Sequence, residues 1–424
     1  YIFYLLTLNI PAWVFVAGLT LWISSVTKSR TLAIVLSVIW WMACIFWLPY
    51  WQHGTFDYLA SGVPNLFSGV IGHLNFPLYV LHRCAYLLVG AGLLVYSVNR
   101  MRRLPNEIRM RKAYLSGGIL LVVCGVACGG LLEYTYYRNR EARAGYYASF
   151  ERNWKEATCR VKRHSIELEQ SGKILTMQSD MTIYNPGKES LAPVVLFLNP
   201  GLQVTKLETG KENLAYRRDE QAILIDRGLG AGDSLRLHVE YSGRIDDRFC
   251  DLHLADEVYE DPFYQDRFFA TGRQGAFVDE KLLVLSPACA WYPVAIPPVN
   301  PLMPASTGRD FTRFRLLVKH PLQKEIVSQG QMSVTEDSVI FLCHNTLSGI
   351  SLCGANYNRH FVPVDDKFGL QLNTMNFGEQ LANNFSGISQ ADFISSWEKS
   401  PGLKPLDGYN YEAASWYEPK ASYL

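Results

Sequence analysis

The sequence predicts a membrane bundle of four α-helical spans followed by an all-β domain, sandwich or saddle-like in form, outside the cytoplasm. Residues 1–133 hold long apolar runs with only nine Lys/Arg and three Asp/Glu. The remaining residues are mildly acidic, with 31 Lys/Arg against 36 Asp/Glu. From Cys159 onward they fall into short alternating or β-branched runs separated by turn residues. This change of pattern divides the chain into a membrane segment and an extramembrane segment.

The composition excludes several classes of protein. Charged residues make up 19% of the 424, below the roughly 25% of soluble proteins. The formal net charge of +1 excludes a basic nucleic-acid-binding protein, and 49% hydrophobic residues exclude a disordered chain. The sequence starts at Tyr1, inside an apolar run and without an initiator Met, so we expect a fragment of a longer protein.

Four windows reach the length of about 20 predominantly apolar residues that a spanning helix needs. They are 1–27, 31–50, 76–98 and 113–132. The third contains Arg83, and a charge at membrane depth is a candidate functional residue, with snorkelling to the outer surface as the alternative. In the fourth, Gly125 and Gly129 form a small-xxx-small pair. Such a pair is typical of close helix packing, or of the general tolerance of Gly in membranes.

The distribution of Lys and Arg predicts the orientation of the spans. Two Lys/Arg residues lie in the turn 28–30 and six lie in the connection 100–112. In the loop 51–76, Asp57 is the one fully charged residue. Because short cytoplasmic loops carry the excess of Lys/Arg, this loop and everything after Glu133 are predicted to lie outside. The loop is rich in aromatic and apolar residues. It favours short interfacial or re-entrant helices, with a plain aromatic belt as the alternative.

Beyond the spans, the polar and aromatic stretch 134–157 is predicted to form a helical stalk. Eight later runs are predicted strands: 161–168, 175–184, 194–198, 222–225, 235–241, 313–319, 331–334 and 338–343. Turns such as Asn199-Pro200-Gly201 separate them, since Pro presets φ and Gly supplies positive φ. The aromatic, acidic and Pro-rich stretch 249–304 is predicted to be a long excursion between strands, packed under the domain or binding another chain.

The sequence contains none of the catalytic motifs sought. None of the nine His is followed by Glu, which excludes HExxH, and neither a Walker A loop nor a G-x-S-x-G elbow occurs. The glycine-rich run 228–233 lies between predicted strands, so a hairpin turn is favoured over a phosphate cradle. Cys343 and Cys353 are candidates to bridge adjacent strands in an oxidising compartment, with buried free thiols as the alternative.

The membrane segment resembles the last three spans of a type-2 ABC exporter permease. The residues that carry the likeness are Pro11 in the first span, the exit Ser25-Val26-Thr27-Lys28-Ser29-Arg30 and the apolar outer loop 63–76. The resemblance implies a protein of the bacterial inner membrane, in contact with the lipid bilayer, with interfacial helices in that loop. It also implies a cytoplasmic ABC ATPase as partner, because this chain has no ATP-binding motif. A homodimer is compatible with it.

The segment 157–395 resembles the N-terminal β domain of the aminopeptidase N family of zinc metallopeptidases. The likeness rests on the run 193–202 with its Leu-Asn-Pro-Gly step, the run 232–243 ending in Tyr-Ser-Gly, and the run 283–293 ending in Trp-Tyr-Pro. The triplet 328–330, Ser-Gln-Gly, departs from the family's Ser-Asn-Gly turn.

This second resemblance implies how the chain is divided. The expected parts are a permease-like segment 1–133, a stalk 134–157, a β domain 158–395 and a link 396–424 toward a missing catalytic domain. In the family, HExxH and a downstream Glu hold zinc in that next domain. No catalytic or metal-ligating residue is therefore assigned here, and zinc is expected downstream. The residues implied to face substrate are Ser286, Trp291 and Tyr292.

The leading interpretation is a permease-fused zinc aminopeptidase that trims peptides in the periplasm, this chain being the part without the catalytic zinc domain. One alternative is a non-enzymatic periplasmic module on the permease that binds a substrate or a partner. A transmembrane receptor with a β-sandwich sensor is a third reading. An HExxH beyond Leu424 would favour the enzyme, and the number of spans upstream of Tyr1 would separate permease from receptor.

Overall fold

The computed structural model describes residues 2–65, 67–68, 70–100, 108–155, 158–254, 275–297, 300–301, 310–322, 325–363 and 369–375. Within them, a helical N-terminal part is followed by a mainly β part. The predicted link 396–424, the loop 101–107 and the centre of the 249–304 excursion lie outside the described residues.

Four long helices make up most of the N-terminal part. In chain order the helical stretches are α1 (Ile2–Tyr4), a π-helical turn (Leu5–Asn9), α2 (Ile10–Thr27), α3 (Arg30–Phe46), α4 (Phe76–Arg100) and α5 (Ile108–Asn153). Among the described residues, three stretches are long and apolar enough to cross a membrane: Leu5–Thr27, Phe76–Val98 and Lys112–Asn153. These three agree with the predicted first, third and fourth spans.

The helix α3 is shorter than the span predicted at 31–50. It has 17 residues, about 26 Å at 1.5 Å per residue, against roughly 30 Å of bilayer hydrocarbon. The chain passes at Leu48–Tyr50 into a 3-10 turn that contains Pro49. Because proline has no N–H to continue an α-helix, the helix ends before the apolar run does.

Glycines set the distance between packed helices. A Cβ on Gly18 of α2 would overlap the backbone oxygen of Gly90 in α4. In α5, a Cβ on Gly125 would lie 2.8 Å from the Ala85 oxygen, whereas one on Gly129 meets no described atom within 4 Å. Gly125 is therefore a packing position between α4 and α5, whereas a Cβ at Gly129 would meet no described atom and a packing role there stays a prediction.

Among its described residues the outer loop contains no α-helix; its short helical turns are of the 3-10 type, and their position at a membrane interface stays a prediction. It forms 3-10 turns at Leu48–Tyr50 and Gln52–Gly54 and a small hairpin of β1 (Phe67–Ser68) and β2 (Gly72–His73). The Asp57 carboxylate is fully buried. It accepts hydrogen bonds from the backbone N–H groups of Leu59, Ser61 and Gly62 at 2.9, 2.7 and 3.3 Å.

The β part comprises short strands from residue 160 onward. In chain order they are β3 (Arg160–Ser171), β4 (Ile174–Tyr184), β5 (Val194–Phe197), β6 (Leu202–Thr209), β7 (Glu212–Asn213), β8 (Tyr216–Asp219), β9 (Ala222–Ile225), β10 (Ser234–Gly243), β11 (Ala276–Val278), β12 (Leu282–Leu285), β13 (Arg313–Lys319), β14 (Glu325–Ser328), β15 (Gln331–Val334), β16 (Ser338–Leu342), β17 (Leu352–Ala355), β18 (Tyr357–Pro363) and β19 (Gly369–Met375). All eight predicted strands are confirmed to within three residues at each end.

The strands form one large sheet and several small ones. The eight-stranded sheet has the order β15-β16-β13-β3-β4-β10-β6-β7, in which β13 and β3 pair in parallel and the other neighbours are antiparallel. Smaller sheets have the orders β11-β12-β17-β14 and β5-β9-β8, and β18 pairs with β19. The run 228–233 joins β9 to β10, which belong to different sheets. The predicted hairpin there is wrong, although the turn is real.

The short sheet β5-β9-β8 is a middle layer. Every residue of β5 and β9 is buried, because alternate side chains of these strands face the main core and a second cluster around Phe197 and Val294. The ring of Phe150 in α5 lies 6.3 Å from that of Phe197. The end of α5 therefore covers the far side of this sheet. Strands buried on both faces explain the uninterrupted apolar letters of β5 and β9.

The cysteines are all free thiols in this structure. Cys343 follows β16 of the large sheet, whereas Cys353 lies in β17 of the four-stranded sheet. The suggested bridge between adjacent strands is therefore wrong for this pair.

Candidate functional site

The predicted stalk is the last part of α5, which runs without a break from the apolar segment to Asn153. Its strongest attachment to the β part is Arg143, which is only 6% exposed. The guanidinium donates hydrogen bonds to four backbone oxygens of one loop. They belong to Arg248 (2.9 Å), Cys250 (3.0 Å), Asp251 (3.2 Å) and Leu254 (2.7 Å). We call the loop 246–254 the stalk socket.

The next turns of α5 extend the attachment. The Tyr146 hydroxyl donates to Asp246 Oδ2 at 2.7 Å, and Gln221 Nε2 donates to the Tyr146 oxygen at 2.8 Å. Asn153 Nδ2 donates to Asp219 Oδ2 at 2.6 Å. Residues 143, 146 and 153 share one helix face because they are separated by three and seven positions. The stalk is therefore attached to the β part through one face of the helix.

Asp219 is the second anchor of the stalk. Its carboxylate accepts from Arg152 Nη2 at 2.9 Å, and its backbone oxygen accepts from Ser149 Oγ at 2.7 Å. The hydrogen bond from Arg152 lowers the pKa of the Asp219 carboxyl. The carboxylate is thus kept ionised beside the helix end.

The sequence Leu-Asn-Pro-Gly follows β5 and forms a turn. The side chain of Asn199 in this turn is fully buried and makes its main hydrogen bonds. Asn199 Oδ1 accepts from the N–H groups of Gly201 and Asp246 at 2.9 and 2.8 Å. Asn199 Nδ2 donates to the Cys289 oxygen at 2.9 Å, and its backbone N–H donates to the Ala290 oxygen at 2.8 Å. One side chain therefore joins the strand end, the stalk socket and the segment 286–292.

The segment 286–292 contains the three residues expected to face substrate. Ser286 precedes the 3-10 turn Pro287–Cys289, with its Oγ 3.4 Å from Cys289 Sγ. Trp291 is fully buried in the main core, and its Nε1 has no hydrogen-bond partner among the described residues. The Tyr292 hydroxyl accepts from the Ile350 N–H at 3.0 Å. Contact of these residues with a substrate stays a prediction.

Tyr292 borders a cleft of about 330 Å³, whose lining also includes His164, Ile296, Asp310, Thr312 and Phe314. His164 Nε2 lies 3.0 Å from Ser179 Oγ, which lies 3.0 Å from the Tyr241 hydroxyl. Burial lowers the pKa of His164 to about 3, so the imidazole is neutral. Burial also raises the pKa of Asp310. Apolar side chains and polar groups both line the cleft, an arrangement that is suited to binding.

A metal site is not found in the part of the chain that the structure describes. No group of three or more His, Cys, Asp or Glu side chains there is placed to hold a metal ion. A catalytic zinc needs three protein ligands and an open position. The described residues therefore offer no zinc ligand set, and the family resemblance assigns the zinc to a following domain.

Arg83, the charge predicted at membrane depth, is 3% exposed and does not reach the surface. It donates to the backbone oxygens of Thr7 (3.1 Å), Leu8 (2.8 Å) and Tyr58 (2.7 Å). Thr7 and Leu8 lie in the π-helical turn Leu5–Asn9, where the i→i+5 pattern departs from the regular α-helical bonding. The guanidinium thus supports an irregular turn and ties it to the outer loop.

Sequence reasoning did not single out Arg143, Tyr146, Asn153, Asp219 or Asp246. The spacing of 143, 146 and 153 within a predicted helix was the available signal for a contact face. Their partners lie 66 to 111 positions away in the sequence, and local patterns do not contain such pairings.

His238 gives this region a measurable pH dependence. Burial opposes its protonation, but hydrogen bonds to Asp180 (2.8 Å) and Glu240 (3.3 Å) raise the pKa of His238 overall. A raised histidine pKa stabilises the fold below the unfolded pKa of about 6.5, and this contribution is lost as pH rises through the folded pKa. We expect His238→Gln to remove at most about 1 kcal/mol at pH 5.5, since the pair is solvent-accessible. Chemical denaturation at pH 5.5 and 8.5 checks this, and an equal loss at both values would contradict it.

Comparisons with known proteins give structural neighbours. No family model matches the sequence, and no curated protein matches it. The chain is similar to a mutant M1 zinc metallopeptidase bound to a Tyr-Ser-Ala substrate, from Deinococcus radiodurans, with a TM-score of 0.37 and 16% identity over 53% of this chain and 52% of that one. It is similar to Legionella pneumophila aminopeptidase A in complex with aspartic acid, with a TM-score of 0.39 and 10% identity over 58% and 27% of the two chains. For yeast LTA4 hydrolase in complex with bestatin, the TM-score is 0.33 and the identity 11%, over 57% and 35%. The chain spans about half the length, or less, of these structures.

Proposed function

We propose that this chain is the membrane-anchored, substrate-side part of a zinc aminopeptidase fused to an exporter-type permease. The observation that carries the proposal is that the helix α5 runs without a break from the membrane segment to the β part. Its 46 residues form one helix, about 69 Å long at 1.5 Å per residue. It contains the apolar stretch 113–132, and its last turns make the contacts of Arg143, Tyr146 and Asn153 with the β part. A helix fixed at both ends holds the β domain at a set distance from the bundle.

The proposal places the β domain on the outer face of a bacterial cytoplasmic membrane, with the fourth span supplied by α3. Its support is a contact between the stalk and the outer loop 51–76. The His53 ring stacks on Tyr136 at 4.1 Å, and Arg140 Nη2 lies 3.5 Å from His53 Nε2. That loop and the stalk therefore share one end of the bundle. The Lys/Arg-rich connection 100–112 marks the cytoplasmic end by the positive-inside rule.

The peptidase part of the proposal is supported by the Leu-Asn-Pro-Gly resemblance and by what Asn199 does. This residue connects the stalk socket to the segment 286–292 beside the cleft. Zinc, when bound in the proposed enzyme, polarises the peptide carbonyl and activates water. The proposal assigns its ligands to a domain outside this chain, and assigns no catalytic residue here. The cleft at Tyr292 would contribute to binding a peptide.

Labelling in intact cells tests the orientation. Lys211 is exposed at the turn between β6 and β7. We expect Lys211→Cys to react with a membrane-impermeant maleimide before lysis, because the β domain faces outward. The unsubstituted chain gives the background of the native thiols. Labelling of Lys211→Cys only after lysis would contradict the proposed side.

A non-enzymatic module that binds a substrate or a partner on a permease is the second candidate. The cleft favours it, since its lining combines apolar side chains with polar groups and its His164 is neutral and hydrogen-bonded. Zinc content and aminoacyl-anilide hydrolysis of the complete gene product separate the two candidates. The enzyme predicts about one zinc per chain and turnover that a chelator abolishes. A folded product without zinc or turnover supports the binding module.

A cytoplasmic ABC ATPase is the proposed partner of the membrane part, because the sequence has no Walker A loop. Affinity purification of the chain from its native membrane, followed by mass spectrometry, tests this. Recovery of no ATP-binding subunit under conditions that preserve other membrane complexes would contradict it.

A further inference from the structure

A cysteine of the stalk socket lies beside a cysteine of the segment 286–292. Cys250 follows the 3-10 turn Asp247–Phe249, and Cys289 ends the 3-10 turn Pro287–Cys289. They are 3% and 0% exposed. A Cβ built on Gly275 would touch Cys250 Sγ and lie 3.8 Å from Cys289 Sγ. Both sulfur atoms therefore border one point, although the residues are far apart in sequence.

We propose that Cys250 and Cys289 are a disulfide modification site, oxidised when the β domain resides in an oxidising compartment. The bond would connect the stalk socket to the segment 286–292. It would close the loop 251–288, and thereby fix the two parts that Asn199 already joins by hydrogen bonds. A disulfide stabilises the folded protein mainly by reducing the conformational entropy of the unfolded chain, and the effect is larger for longer loops.

The surroundings of the two thiols give them different reactivity. The Cys289 thiol donates to the Gly275 oxygen at 2.9 Å and lies 3.4 Å from Ser286 Oγ. The neighbouring Cys289 thiol, together with burial, raises the pKa of Cys250, and the neighbouring Cys250 thiol lowers the pKa of Cys289. Since the thiolate is the nucleophile in exchange, Cys289 is the thiol that reacts first.

The oxidant belongs to the class of disulfide compounds, such as oxidised glutathione. The Cys289 thiolate attacks one oxidant sulfur, the oxidant S–S bond breaks, and the released sulfur takes a proton and leaves as a thiol. Cys250 then gives up its proton and attacks the Cys289 sulfur of the mixed disulfide, which expels the second oxidant sulfur as a thiol. Two thiols of the chain are oxidised, and one oxidant disulfide is reduced to two thiols.

The remaining extramembrane cysteines serve as internal controls. The Cys159 thiol points to the Val195 oxygen at 4.0 Å and the Cys343 thiol to the Gln329 oxygen at 3.4 Å. Cys353 lies in β17, in a different sheet from β16. Oxidation of neighbouring thiols should therefore link Cys250 to Cys289 and leave these three unlinked.

The test uses the full chain in detergent. It is incubated with oxidised glutathione a few degrees below its unfolding temperature, where local opening exposes buried thiols. It is then denatured in excess N-ethylmaleimide and digested without reduction. We expect a peptide pair linking Cys250 to Cys289, at close to one per chain. Cys289→Ser should lack it, and the double variant Cys343→Ser/Cys353→Ser should keep it.

Thermal unfolding of the unsubstituted chain gives a second readout that needs no variant to fold. We expect oxidation to raise the Tm of the β domain by roughly 5–15 °C, and dithiothreitol to reverse the rise. Complete N-ethylmaleimide labelling of both cysteines after oxidation would overturn the proposal. A linkage of Cys250 to another cysteine, or a Tm that dithiothreitol leaves unchanged, would also overturn it. These outcomes are independent of zinc binding and peptidase activity.

Discussion

Arg143→Ala is expected to release the stalk from the β domain and to reduce the stability of the docked state, relative to the open state, by about 2–4 kcal/mol. The substitution leaves four backbone oxygens of the stalk socket without the guanidinium that now satisfies them. By the relation of tenfold per 1.4 kcal/mol, local opening should increase roughly 30- to 700-fold. Hydrogen exchange of the amides in 143–153 and 246–254 measures this directly.

Arg138→Ala is the matched control for that experiment. Arg138 lies on the same helix, but its ion pair with Glu141 has a 3.6 Å separation and its side chain is 59% exposed. Such a pair contributes at most about 0.5 kcal/mol, so exchange in the socket should not change. Equal exchange in both variants would show that Arg143 does not hold the stalk, and would remove the support for a fixed distance between bundle and β domain.

Gly125→Leu is expected to separate α5 from α4 and to destabilise the helical part by about 3 kcal/mol or more. A Cβ at this position would lie 2.8 Å from the Ala85 oxygen and from the Val89 N, which are backbone atoms that cannot move aside. The helix pair must therefore part before the larger side chain fits. Unfolding of the detergent-solubilised chain in increasing SDS, followed by far-ultraviolet circular dichroism, measures the loss.

Gly129→Leu is the control with the same change of side chain one helical turn away. Its Cβ would meet no described atom within 4 Å, so a shift within about 0.5 kcal/mol is expected. Similar losses at Gly125 and Gly129 would mean that the intrinsic cost of replacing glycine, rather than the contact with α4, sets the result.

The strands were the most predictable part of the fold. In β4 the burial alternates at every position from Ile174 to Ile183, because one face packs on the core and the other faces solvent. Two of the missed strands, β6 and β8, had no such signal. Strand β8 reads Tyr-Arg-Arg-Asp, and β6 buries only two of its eight residues. Propensity and alternation fail for strands whose side chains remain outside the core.

The candidate site was less predictable than the strands. The sequence drew attention to Trp291 and Tyr292 through their resemblance to a family motif, but their burial follows from packing between sheets. It suggested a bridge between Cys343 and Cys353, whereas folding places Cys250 beside Cys289. A spacing along the chain does not say which cysteines meet, since disulfide partners depend on the arrangement of the backbone in three dimensions.

By itself, the sequence determined the properties that depend on local periodicity: apolar lengths for three membrane-scale helices, the helical continuation after Glu133, and the positions of eight strands. Only the tertiary structure decided which elements meet. It paired β3 in parallel with β13 across about 150 residues, placed β9 and β10 in different sheets, and seated Arg143 in the stalk socket. Local periodicity depends on neighbouring residues, which a sequence shows directly. Pairing depends on contacts between distant residues, each stable only when the rest of the fold has brought them together.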